Sequence, residues 1–276
     1  MLITTNPPHI PPSKEALGFI SERNLFKFLV KEKVFFALYT TDFDIQKETP
    51  FWYVIKDKGY CFEELSSNAR RQIRRGRESF VVEKINPDEY RKEMYAVFCS
   101  SMQGYDKAER ISVSFEDFKF WYKEKAFVFF GAFVRQSDNS KGELVGYKIY
   151  SDSGNGCIDQ CVQKVKVEWE QKHVANVLED ALLLDVRKEL EENQKYVCCG
   201  WRNLHHKTNN EKFLEEHFKF RKAYCRLHIR MCLLMNVAVF LLMPLYPLLS
   251  KSKKKILYDI SSVLLMTKIA RECKKT

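Results

Sequence analysis

The feature that most constrains this chain is a change of hydrophobic period after Gly131. Residues 126–136 (AFVFFGAFVRQ) and 142–152 (GELVGYKIYSD) follow the two-residue period of strands, and SDNSK between them has hairpin-loop composition. NGCIDQCVQKVKV (155–167) reads as a third strand. The spacing then becomes helical over 173–193, with apolar residues at 174, 177, 178, 181, 182 and 184. A strand over 195–201, a helix near 208–217 and a strand over 220–230 complete the series. The order β-β-β-α-β-α-β implies a mixed, mainly antiparallel sheet with helices on its faces, an α/β (α+β) fold.

The preceding segments are less regular. Residues 1–20 (NPPHIPPSKEA within them) form a Pro-rich lead-in, and 21–125 read as an N-terminal α/β portion. Strands are expected near Val34–Tyr39, at 50–58 and at 80–85, and helices at 87–104 and 114–125. Phe115, Phe118 and Tyr122, and Phe127, Phe129 and Phe130, are most simply core. SSNARRQIRRGRES (66–79) places Arg70, Arg71, Arg74, Arg75 and Arg77 on one helix, with Ser66 or Ser67 as its N-cap. The whole chain carries a net charge of +10, which favours anionic partners. An arginine-rich helix can be an ordinary solvated face. Arginine's planar fork nevertheless suits phosphate better than solubility alone requires. Phe62, Phe80 and Tyr90 interleave with the basic residues, yet no nucleic-acid-binding motif accompanies them.

Nine cysteines make an odd count, and MLITTNPPHIPPSK does not read as a secretion signal, so reduced thiols and a cytoplasmic setting are expected. Cys161 and Cys199 have no flanking group that marks them as nucleophiles. Cys198, Cys199, His205 and His206 invite a zinc reading. Adjacent pairs on a strand face opposite sides, so no metal is expected. Met231–Leu249 is uncharged, nearly long enough to span a bilayer, and is followed by SKSKKK. Pro244 and Pro247 interrupt its last third, and basic residues stand on both sides. The segment reads as a strand end followed by a short helix at a membrane surface, with a true span and a buried core or partner-binding helix as the alternatives. Ile256, Ile260, Val263, Leu264 and Ile269 group on one side of 254–273 and extend that attachment over 231–276.

Two stretches resemble a known family. VKVEWEQKHVANVL (165–178) is similar to the cofactor loop of the GNAT acyltransferase superfamily, with Glu168, Trp169, Ala175 and Leu178 matching in kind. NNEKFLEEHFKFRKAYCRLHI resembles that family's closing helix, turn and last strand, so 126–230 is read as the GNAT-like core. LSSNARRQIRRGRESFVVEKI (65–85) resembles the FemABX-like branch through Ile73, Arg74 and Gly76. YVCCGWRNLHHKTNNEKFL (196–214) does so through Gly200, Arg202, His206, Thr208, Asn209 and Phe213. The departures are specific. Gln171 and His173 stand where the loop has glycines, Glu170 where it has arginine, Lys219 at the turn glycine, and Glu215 where a tyrosine often serves as general acid.

The resemblance implies an acyl or aminoacyl transferase acting on a saccharide or lipid-linked envelope precursor at the inner face of the cytoplasmic membrane. It implies acyl-coenzyme A as donor, held by Val167, Lys172, His173, Val174, Ala175 and Asn176, or an aminoacyl-tRNA instead. Arg70, Arg74, Arg75 and Arg202 would hold an anionic group, and His206 would be the base. The lost glycines leave open a membrane adaptor that kept the fold and lost the donor.

Overall fold

The computed structural model describes residues 11, 22–107, 110–121, 126–202, 204, 209–252 and 254–275. The first half contains α1 (Glu22–Lys31), β1 (Phe36–Thr41), β2 (Trp52–Lys56), α2 (Ser67–Ser79), β3 (Phe80–Lys84), α3 (Arg91–Gln103) and α4 (Phe115–Phe118). Then come β4 (Phe127–Arg135), β5 (Lys141–Asp152), β6 (Cys157–Val165), α5 (Val174–Asp185), α6 (Arg187–Glu191) and β7 (Tyr196–Trp201). The chain closes with α7 (Asn210–Phe218), β8 (Arg221–Tyr224), β9 (Arg226–Met231), α8 (Leu233–Leu242), α9 (Tyr246–Leu249) and α10 (Lys255–Cys273). Two compact units result. One takes Met1–Ile55, Cys199–Glu211 and Arg221–Thr276; the other takes Lys56–Cys198 and Lys212–Phe220.

The second unit is the mixed sheet expected from the change of period. Its strands lie in the order β3-β4-β5-β6-β7. All neighbours are antiparallel except β6 and β7, which run parallel. Alternation along β5 sends Tyr147 and Ile149 to one face and Gly146 and Lys148 to the other. Helix α3 covers the first face, where Met94, Val97, Phe98 and Met102 join Phe129, Phe133, Tyr147 and Ile149 in one apolar cluster. Helix α5 covers the second. Gly146 lets it approach: a Cβ there would stand 2.8 Å from Val174 Cγ1 and 3.2 Å from Leu178 Cδ1.

Helix α2 begins where the sequence places its cap, the Ser66 hydroxyl accepting the Ala69 amide at 3.2 Å. Its thin apolar stripe, Ala69, Ile73 and Gly76, is buried. Gly76 brings it against α5. A Cβ at that position would lie 2.5 Å from Val177 Cγ1 and 3.1 Å from the His173 carbonyl oxygen.

Some boundaries move. The helix expected over 173–193 is two, because the chain leaves helical geometry at Val186 (φ −94°, ψ 11°). The helix expected over 87–104 starts at Arg91. That expected over 114–125 is a single turn, with residues 122–125, Tyr122 among them, outside the described part.

In the first unit, β1 pairs antiparallel with β9 from Phe36↔Met231 to Thr41↔Arg226. β2 pairs antiparallel with β8 from Trp52↔Tyr224 to Ile55↔Arg221. The single strand expected over 220–230 is thus two, divided at Cys225. Helix α10 packs on β9, where Leu264, Met266, Ile269, Ala270 and Cys273 are buried, whereas Ile256 at its start is 75% exposed. Among the described residues no helix is long and apolar enough to cross a membrane.

The Gly76 contact gives the first test. Alanine in a helix interior gains about 1 kcal/mol over glycine. Overpacking a core costs roughly 1–3 kcal/mol, and one of the two neighbours here is a backbone oxygen that cannot rotate away. Urea denaturation of Gly76→Ala is expected to show a net loss of about 1 kcal/mol; a gain would mean that the two helices are not in contact there.

Candidate functional site

The N-terminal end of α5 is where chemistry-bearing side chains of the second unit meet. His173 caps the helix in the left-handed region, at φ 66° and ψ 16°. It directly follows a 3-10 turn over Val167–Lys172. A helix start leaves its first amides without intrahelical acceptors, and these favour an anion. Here the first turn of α5 contains no acidic residue. Buried Asn176 lies at the centre of a side-chain network. Its Nδ2 donates to Gln72 Oε1 on α2 at 3.3 Å and reaches His217 Nδ1 on α7 at 3.2 Å. It also bonds to His173. With Asn176 donating to Nδ1, His217 carries its proton on Nε2 and offers that nitrogen as a donor.

Charge completes the geometry. Burial holds the His173 imidazole below the ordinary histidine range, and Arg75, Arg71 and His217 depress it further. His217 is lowered too, chiefly by burial. Positive charge and two imidazoles that resist protonation therefore surround one helix start. Burial is the main reason that both rings stay neutral, and an anion placed there would offset the Arg75 and Arg71 charges that add to it at His173.

Two buried carboxylates hold α5 in place. Glu179 meets Lys148 Nζ at 2.6 Å, with the side chains 1% and 3% exposed. Gln160 donates to Glu179 at 2.7 Å, and Lys148 also reaches Gln160 and Gln163. The next residue, Asp180, turns toward α2. It accepts Arg77 Nε and a terminal guanidinium nitrogen at 2.9 Å each, and the Tyr60 hydroxyl at 2.6 Å. Burial, and then the Asp180 carboxylate, push the Tyr60 phenol well above its usual range.

The residues singled out in the sequence divide accordingly. Arg75 faces the site beside His173. Arg70 instead donates to the Glu63 carbonyl, and Arg74 lies over the Phe62 ring. Arg202 lies in the first unit, bonded to the Pro50 carbonyl and stacked on Trp52. These three have structural partners and are not brought to the α5 start. His173 and Asn176 are at its centre, and Lys172 and Ala175 stand beside them on the chain. Val174 is wholly buried, backbone included, and so is not open to a ligand, and the Val167 amide already donates to Ser100 Oγ. His206 and its neighbour His205 lie outside the described residues. Burial, then Asp159, pushes the Cys161 thiol up to about 12, which makes it a poor nucleophile.

His217, Gln72 and the Lys148–Glu179 pair are additions from the structure. A signal for the pair is present in the sequence: Lys148 and Glu179–Asp180 interrupt the apolar runs VGYKIY and VANVLEDALLL. His217 and Gln72 have no such mark, because only the fold brings α2, α5 and α7 together.

No protein-family model and no curated protein matches this sequence. Solved structures do match. FemX superposes with a TM-score of 0.52 at 7% identity, over 82% of this chain and 71% of that one. A conserved protein of unknown function from Bacteroides thetaiotaomicron gives 0.50 at 12% identity, over 75% and 73%. A tandem GNAT protein from the clavulanic acid biosynthesis pathway is a looser likeness, at 0.40 and 14% identity over 74% and 66%. The chain has a GNAT-like fold with FemX among its structural relatives.

That fold sharpens the meaning of the departures noted in the sequence. His173 and Lys219 replace two pattern glycines, and both adopt left-handed backbone, with φ of 66° and 57°. This is a conformation that glycine adopts without strain and that costs other residues about 1–2 kcal/mol each.

Two outcomes follow. Lys148→Met strands Glu179 as a buried unpaired charge and is expected to cost about 3–5 kcal/mol in chemical denaturation, with Lys148→Met/Glu179→Leu recovering most of it. The second concerns acid. The unfolded chain binds protons at His173, His217 and His228 more readily than the folded chain, whose values are all depressed. Stability is therefore fully present above the unfolded histidine pKa of about 6.5 and is lost as pH falls through the folded values. A melting temperature that rises between pH 7 and 5.5 would contradict the burial of these rings.

Proposed function

We propose that this chain is an acyltransferase that moves an acyl or aminoacyl group from a phosphate-bearing donor to an amine or hydroxyl acceptor. The observation that carries the reading is the convergence of Arg71, Arg75, His173, Asn176 and His217 on the first turn of α5, within a GNAT-like fold. The residues fit a pyrophosphate. The amide of half-buried Ala175 lies at the positive end of the helix, Arg75 and Lys172 supply charge, and the His217 Nε2–H supplies an oriented hydrogen bond. His173 adopts the left-handed backbone that a glycine would take, which favours this reading over the non-catalytic adaptor, whose motive was the missing loop glycines.

The step balances simply. The acceptor nitrogen or oxygen attacks the donor carbonyl carbon, a C–N or C–O bond forms, and the bond from that carbon to the donor's sulfur or oxygen breaks. The acceptor's proton passes to a base, a role we assign to His206, and the leaving group takes a proton from solvent. Acyl-coenzyme A fits the site's size of charge with least elaboration. Aminoacyl-tRNA is the alternative donor. The acceptor class we infer is a saccharide or lipid-linked envelope precursor.

Isothermal titration with acetyl-coenzyme A tests the reading. Binding is expected, weakened roughly tenfold or more by Arg75→Ala, since a charge-assisted contact contributes about 1.5–3 kcal/mol. Arg70→Ala, whose side chain is held by the Glu63 carbonyl, is expected to bind as the parent does. Affinity for aminoacyl-tRNA alone, falling steeply with salt, would make that the donor. Affinity for neither would overturn the transferase reading and leave the adaptor.

A further inference from the structure

Helix α8 is an apolar element that the first unit leaves uncovered. Leu233, Leu234, Val237, Phe240 and Leu241 are 72, 80, 52, 73 and 65% exposed, and Leu248 on α9 is 72% exposed. Positions 233, 234, 237, 240 and 241 share one side of a helix, so the apolar residues form one face rather than a scatter. Within α8 only Val239 is buried. A backbone bond from the Cys232 amide to the Phe35 carbonyl brings half-exposed Phe35 to the start of the same face. A contiguous apolar face of this kind on a folded chain marks a surface with a partner.

Charge identifies the partner. Between Arg226 and Asp259 the sequence contains no acidic residue, while Arg230, Lys251, Lys253, Lys254 and Lys255 all fall there. Exposed Lys251, Lys254 and Lys255 follow α9 directly. Beside α8 lies a groove of about 460 Å³ lined by Phe240, Leu241, Met243, Pro244 and Arg271, four apolar side chains with one guanidinium. A second copy of the chain would bring the same positive charge to the same face. An anionic lipid surface offers hydrocarbon for the leucines and phosphate for the cations. α8 has only ten residues, which is half of what a span needs.

We propose that α8 and α9 lie in the interfacial layer of an anionic bilayer, with Phe240 and Leu241 in the hydrocarbon boundary and Arg271 holding a lipid phosphate at the groove. The attachment is reversible and places the chain on the membrane without crossing it. It does not depend on the transferase reading, because every residue involved belongs to the first unit, whereas the donor site lies in the second.

The test is flotation of the full chain with vesicles of phosphatidylcholine alone and of phosphatidylcholine with phosphatidylglycerol. Binding to the anionic vesicles is expected, with little to the neutral ones and release at high salt. Leu234→Asp/Phe240→Asp is expected to weaken binding at least tenfold. Arg271→Gln should diminish the preference for anionic lipid while leaving the melting temperature near that of the parent. Both acidic substitutions are at exposed positions, and an unchanged melting temperature confirms that the fold is intact. Failure to float with anionic vesicles, or equal flotation of the double variant, would overturn the proposal. So would concentration-dependent self-association in sedimentation velocity that the double variant abolishes while vesicle binding is absent, which would assign the face to a second copy.

Discussion

The architecture of the second unit depends on two consecutive carboxylates on α5. Glu179 and Asp180 are one residue apart, so they point about 100° apart around the helix. One reaches down to Lys148 in the sheet and the other sideways to Arg77 on α2. Each is buried and each is paired, the condition under which a buried charge is tolerated. Together they fix the rotation of α5 about its axis. Gly146 and Gly76 set its distance from the two surfaces it touches. The first turn of the helix is thereby presented to Arg71, Arg75 and His217 in one orientation.

This division of labour changes the meaning of the arginine-rich segment. Of its five arginines, Arg77 is an anchor, Arg70 and Arg74 tie the helix to the Phe62–Glu63 turn, and Arg71 and Arg75 flank His173. One helix thus carries both arginines held by structural partners and arginines that flank the anion site proposed here. The helix is held by some of its charges so that others stay available.

The sheet and its covering helices were legible because their signals are local. β4 and β5 alternate, α5 follows the helical period, and Ser66 marks a start. The resemblance in 165–178 set a family glycine against His173, and the backbone there takes the left-handed conformation that glycine favours. The site itself was only half legible. Arg75, His173 and Asn176 stand on segments with a pattern, while Gln72 and His217 join them through contacts of long sequence separation that no period encodes. Of the apolar residues grouped along 254–273, Leu264 and Ile269 are buried in a helix that packs on β9, while Ile256 stays exposed. Amphipathicity reports that a face is covered, not by what.

The central claim is that the α5 start is an anion site whose two imidazoles are kept neutral until a phosphate arrives. Nitrogen-detected NMR titration of His173 and His217, with and without coenzyme A, tests it most directly. The account predicts that both rings titrate below the usual histidine range in the free protein and shift upward when coenzyme A is added. Midpoints that are ordinary in the free protein, or unmoved by the ligand, would contradict it.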